Sequence, residues 1–164
     1  MPAIIPAIAI AATLLSGAIF GFFYAWICST LWGLDTLPPD IAIRAMQAMN
    51  ASVRNIVFAP AFFGTGPALL IAALAAWRAA PRAGVAFAAG GVVYILFGMV
   101  LTLAVNVPMN RALALVDPAA VDAAAVWAAY SGPWQMWNIT RTVASGVALT
   151  CALMGLVALG RARS

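Results

Sequence analysis

The sequence predicts an all-α integral membrane protein, a bundle of four transmembrane helices with a short amphipathic helix before the second span. Two observations carry this reading. Of the 164 residues, 66% are hydrophobic and 7% are charged, and the mean hydropathy is +1.05. Soluble domains are typically about half apolar and about a quarter charged, whereas disorder requires low hydrophobicity and high charge. The charges also gather in clusters, leaving residues 2–34, 55–77, 83–110 and 142–160 free of any. Crossing the hydrocarbon core takes about 20 mainly apolar residues, so each run is long enough for one span. Spans are expected near 5–32, 55–77, 84–107 and 133–159, in one domain covering 1–164.

The elements follow in order. The first run is too long for a signal-peptide core and lacks a basic leader, so it reads as an uncleaved helix. It carries Gly17 and Gly21 at GxxxG spacing. That spacing suits either a dimer face or close packing inside the monomer, and the second is preferred. Leu37-Pro38-Pro39-Asp40 breaks the chain, and Asp40 is placed to cap an amphipathic helix beginning at Ile41. Pro60 and Pro67 should kink the second span. Asp117-Pro118 reads as a helix start with proline in the first turn, and Gly132-Pro133 repeats the device before the fourth span. Cys28 and Cys151 should differ in depth by roughly 20 Å, where a disulfide needs Cα atoms within about 7 Å, so two free thiols are expected.

Residue types narrow the chemistry. The chain has no His, Lys or Glu; its eight cations are Arg and its four acids Asp. His-ligated haem, His-rich metal sites, a Ser-His-Asp triad and a Schiff-base lysine are therefore excluded, and neither metal nor cofactor is expected. Arg78, Arg82, Arg161 and Arg163 fall on one side of the membrane with no acid among them, while the four Asp and the other four Arg balance on the opposite side. The positive-inside rule then places both termini in the cytoplasm of a bacterial-type plasma membrane. The net charge of +4 reflects this orientation, and no basic cluster suggests nucleic acid.

Three polar stripes fall on the uncharged-balance side. Gln47, Asn50 and Arg54 precede the second span. Thr102, Asn106 and Asn110, followed by Arg111, end the third. Trp134, Trp137, Asn138 and Arg141 begin the fourth. Their spacings put each set on one helix face. Interhelical hydrogen bonding and an interfacial aromatic belt would explain them as structure. Ionisable and amide groups at membrane depth also mark functional sites. Arg donors beside indole faces suit a flat, lipophilic, electron-rich or anionic aromatic. Tyr94 and Tyr130 could add hydroxyls, and Trp127 with Tyr130 could close the pocket from above.

At these residues the sequence resembles the anthrone oxygenase-like family of small four-helix membrane proteins. The resemblance covers residues 17–156. It is carried by Phe22-Phe23-Tyr24-Ala25-Trp26, Ala45-Met46-Gln47-Ala48-Met49-Asn50 and Phe62-Phe63-Gly64-Thr65. Asn106-Val107-Pro108-Met109-Asn110, Trp127-Ala128-Ala129-Tyr130 and Trp134-Gln135-Met136-Trp137-Asn138-Ile139-Thr140-Arg141-Thr142 complete it. Ile56 stands where relatives often have Pro, and Ile139 where many have a polar residue. The resemblance implies oxidation of an anthrone to a quinone by dioxygen without cofactor. In that scheme Arg141 and Arg54 stabilise enolate and reduced-oxygen charge, and Asn106, Asn110 and Asn138 hold carbonyl and phenol groups. Trp134 and Trp137 stack on the rings, and water or Tyr130 takes the proton. Asn50, Thr102, Arg111 and Trp127 complete the substrate pocket. The alternative is a non-catalytic binding, transport or accessory protein for lipophilic small molecules. Expected partners are the bilayer, a lipophilic aromatic and, through the glycine face, a second copy of the chain.

Overall fold

A computed structural model describes residues 3–162, which are helical with no strand among them. The helices are α1 (Ile4–Asp35), α2 (Pro39–Ser52), α3 (Phe58–Ala76), α4 (Pro81–Ala114) and α5 (Ala123–Arg161). All but α2 are long and apolar enough to cross a membrane. They form a square, with α1 packed on α3 and α5, and α4 packed on the same two helices. Large apolar side chains such as Leu14, Leu74, Val143 and Met154 face outward, as expected where the surroundings are lipid.

Lipid tails are as apolar as leucine, so burial alone does not drive these helices together; close van der Waals packing does. The core is accordingly rich in alanine, including Ala12, Ala72, Ala76, Ala83 and Ala152. Glycine lets the helices approach closely at several points, Gly90 and Gly155 among them. A Cβ at Gly90 would lie 3.0 Å from the Ala148 carbonyl oxygen, and one at Gly155 would lie 2.7 Å from the Phe87 ring. Gly17 and Gly21 differ. Nothing lies within 4 Å of a Cβ built on either, so the expected packing of this pair inside the monomer is not what forms.

The amphipathic α2 lies across one end of the square, against the ends of α1 and α4 and the start of α5. It buries Ala42, Ile43, Met46 and Asn50. Gln47 secures it by donating from Nε2 to the carbonyls of Leu113 and Val116 at 2.8 and 2.9 Å. Leu113 is in the last turn of α4 and Val116 lies just past its end, where carbonyls lack the usual helical partners.

Several boundaries differ from the sequence reading. Pro39 is the first residue of α2, so Asp40 sits in its first turn instead of capping it. Asp117-Pro118 forms a turn, with Asp117 Oδ1 accepting from Ala119 N at 3.0 Å. The next helix waits for Asp122, whose side chain accepts from Ala125 N at 3.0 Å. From that cap α5 runs unbroken through Gly132-Pro133, since an interior proline removes one backbone donor without having to end a helix. The helix that carries the fourth span therefore begins at Ala123, and α4 continues past 107 through Pro108. Cys28 and Cys151 are free. Arg163, one of the residues used to orient the chain, lies outside the described residues.

Two spans, α1 and α4, depart from α geometry part-way along. The backbone is π-helical at Trp26–Thr30 in α1 and at Tyr94–Val100 and Thr102–Asn106 in α4. Such turns are rare and concentrate at functional sites.

Gly155→Ala should lower the thermal midpoint in detergent, because overpacking a filled core costs about 1–3 kcal/mol. Gly17→Ala should leave the midpoint unchanged or raise it, since the added methyl meets open space and alanine favours helix.

Candidate functional site

Below α2 the four spans enclose a cavity of about 500 Å³. Phe22, Phe23 and Trp26 of α1 form one wall, and Phe58, Phe62 and Phe63 of α3 form the next. Thr102, Leu103, Val107 and Asn110 of α4 and Trp134 and Arg141 of α5 form the others. The aromatic wall is continuous. Phe22 packs on Phe58 at 4.8 Å, Phe58 stacks on Phe62 at 5.3 Å, and Trp26 leans on Trp134 at 5.1 Å.

Arg141 is the charge in this cavity's depth, with 5% of its surface exposed. No carboxylate is among the lining residues. Its Nε donates to Asn138 Oδ1 at 2.9 Å and one terminal nitrogen donates to Thr102 Oγ1 at 3.3 Å. The guanidinium lies 4.3 Å from the Phe23 ring centroid and 5.2 Å from that of Trp134. Cation–π attraction of this kind grows when the charge is desolvated, to about 2 kcal/mol. A guanidinium carries more donors than these two hydrogen bonds use. The remainder are available to a ligand, and an anionic or strongly polarised oxygen is the complementary group.

A hydrogen-bonded lattice forms the roof. Tyr130 Oη and Trp134 Nε1 both donate to Asn110 Oδ1 at 2.8 Å. An indole N–H can only donate, which fixes the orientation of the Asn110 amide. Asn110 Nδ2 then donates to Asn50 Oδ1 at 3.0 Å. That bond orients Asn50 in turn, and leaves its Nδ2 buried without a partner. Because Asn50 lines the cavity, this donor is a second candidate anchor for a ligand oxygen. Above, Trp127 packs on Tyr130 at 5.8 Å and donates from Nε1 to Asp35 Oδ1 at 2.9 Å, tying α5 to the end of α1.

The structure brings together Arg141, Asn138, Thr102, Asn110, Asn50, Trp134 and Tyr130 in and around one cavity. Asn106 is fully buried beside it, donating to the Trp134 carbonyl at 3.5 Å, with its Oδ1 unpaired. Arg54 is exposed at the rim rather than on the face of Asn50, because α2 ends at Ser52 and its helical spacing stops there. Arg111 is exposed and Trp137 half-buried, and neither lines the cavity. Tyr94 donates its hydroxyl to the Phe62 carbonyl at 2.7 Å and does not itself line the cavity. Phe23 and Trp26 are site residues that the polar stripes do not reveal. Their three-residue spacing on one face of α1 was the available signal. Asp35, the partner of Trp127, carried no signal, being 92 residues away in sequence.

Residues 49–151 match the family model described as anthrone oxygenase. The chain belongs to the anthrone oxygenase family. The match begins at Met49 in α2 and ends at Cys151 in α5, so it contains the roof, Arg141 and the α3 and α4 walls. No curated protein and no solved structure matches the chain.

Asn110→Leu should destabilise the fold far more than Arg111→Ala. It leaves Tyr130, Trp134 and Asn50 without their partner, at about 1–3 kcal/mol for each buried group. Thermal unfolding of the two variants in the same detergent checks this.

Proposed function

We propose that this protein is a membrane oxygenase for a flat, lipophilic aromatic carrying an acidic C–H next to a carbonyl, as in an anthrone. The observation that carries the reading is Arg141: a buried guanidinium with unused donors, no carboxylate among the residues lining its cavity, and two aromatic rings against it. Family membership supports the same substrate class.

The chemistry asks three things of the protein. Loss of the C–H proton gives a delocalised enolate, and a fixed positive charge at its oxygen makes that loss easier. The enolate carbon transfers an electron to dioxygen, and the resulting superoxide and carbon radical combine to a peroxide. Loss of water from that peroxide leaves a new carbonyl, so one methylene and one dioxygen become one quinone carbonyl and one water. Arg141 is assigned to the enolate and the reduced oxygen, with Asn138 and Thr102 fixing its orientation. Asn50 Nδ2 holds a carbonyl at the opposite edge, and Phe23, Trp26 and Trp134 sandwich the rings. The Tyr130 hydroxyl already donates to Asn110, so it serves the roof, and a water is the proton acceptor. Asn106 and Asn110 hold Trp134 and the roof in register. Arg54, at the rim, attracts the substrate's phenolic edge. The protein sits in a bacterial-type plasma membrane with the Arg78 and Arg161 ends of the bundle in the cytoplasm.

Oxygen uptake with a hydroxylated anthrone, followed alongside quinone absorbance, tests the reading. Arg141→Ala should reduce turnover at least about a hundredfold, as loss of a preorganised charge donor does elsewhere. Saturable binding of a hydroxyanthraquinone without any uptake would instead identify a binding protein for lipophilic aromatics.

A further inference from the structure

The cavity has three conceivable approaches, and the structure argues against two of them. The first is from the water beyond α2. That route is blocked by a buried layer including Met46, Leu113, Trp127 and Tyr130, locked by the Asn110 lattice. The second is a groove of about 550 Å³ between α1 and the α2–α3 elbow. It shares Phe22, Trp26 and Phe58 with the cavity wall but touches none of Arg141, Thr102, Asn50 or Asn110, so it borders the aromatic wall and not the polar groups.

The third lies between α3 and α4. These helices pack together from the Pro81 end of α4 as far as Val100. Beyond that point α4 turns its contacts to α2 and α5, and the start of α3 stands apart from it. The residues bordering the gap line the cavity and are at the same time exposed on the outer surface of the bundle: Phe63 at 54%, Leu103 at 44% and Ile56 at 89%. They are apolar, and Phe63 and Leu103 belong to membrane-crossing helices. A surface opening rimmed this way is in contact with acyl chains, not water.

We infer that the ligand reaches Arg141 from within the bilayer, sideways through the gap between α3 and α4, with Phe63 and Leu103 as its two jambs. This rests on the aromatic-ligand reading above. The chemistry of the rim sets what passes: a planar, uncharged molecule dissolved in lipid fits, and a permanently charged one is excluded by the apolar jambs. Arg54 stands at the corner of the same opening, exposed and with no side-chain partner among the described residues, where a phenolic edge would meet it first.

A gate sits on the barrier and not in the bound state, so its signature is kinetic. The test uses the full chain in phospholipid vesicles and a hydroxyanthraquinone carried in the lipid of a second vesicle population. Quenching of tryptophan fluorescence reports arrival at Trp26 and Trp134. Leu103→Phe should slow association by about tenfold and Phe63→Ala should speed it, the change in association rate in each exceeding any change in Kd. The association rate should follow the probe's mole fraction in lipid rather than its aqueous concentration. Ala25→Phe, in the other groove, should leave both rates alone. An unchanged circular-dichroism spectrum and thermal midpoint establish that each variant is folded. Unchanged rates in both jamb variants, slowing by Ala25→Phe, or dependence on aqueous concentration would each overturn the portal while leaving the binding site intact. Absence of saturable quenching in the unmodified protein would overturn the ligand reading itself, and the portal with it.

Discussion

One guanidinium without a counter-ion organises this end of the bundle. An isolated charge in a low-dielectric interior is costly by several kcal/mol unless fixed dipoles replace its water. The surroundings of Arg141 are that replacement. Asn138, one turn earlier on the same helix, and Thr102 on the neighbouring helix accept its hydrogen bonds, and two ring faces supply negative quadrupole density. None of these groups can neutralise it. A carboxylate in place of Asn138 would stabilise the arginine better and would also consume the donors and the positive potential that an incoming oxygen needs. The arrangement keeps the charge tolerable and leaves it unspent.

The roof follows from the same constraint. Trp134 holds one face over Arg141, so its ring must not turn, and the indole N–H bonded to Asn110 prevents that. Asn110 is in turn held by Tyr130 and engages Asn50, which connects α5, α4 and α2 through a single amide. The π-helical turns of α4 lie in the same region, on the wall that presents Thr102. Local helical distortion, amide lattice and aromatic wall thus serve one geometry, in keeping with the general observation that positioning is as valuable as the reactive group itself.

Much of this was legible in sequence because membrane helices carry strong signals. Charge-free runs located all four spans, and the four-residue spacing of Thr102, Asn106 and Asn110 placed them on the inward face. Asn138 and Arg141 were legible for the same reason, since an amide and a charge on an apolar helix have few places to go. What failed was whatever depended on where a helix stops. Arg54 left the face of Asn50 because α2 ends at Ser52, and Pro133 stayed inside α5 because Asp122 supplied an earlier start. Trp137 has the spacing of a site residue but does not line the cavity, and helical periodicity alone does not separate it from Trp134. Phe23 was hidden for the opposite reason, being one aromatic among many apolar neighbours until its ring proved to lie under Arg141.

The unbroken length of α5 has a bearing on membrane thickness. At 1.5 Å per residue its 39 residues extend about 58 Å, roughly twice the hydrocarbon slab of about 30 Å. Arg141 stands 20 residues before Arg161, about 30 Å along the same helix. A bilayer a few ångströms thicker or thinner would change the depth at which Arg141 sits or the tilt of the helix. The acyl-chain length of the host membrane is thus coupled, through one continuous helix, to the electrostatic environment of the cavity.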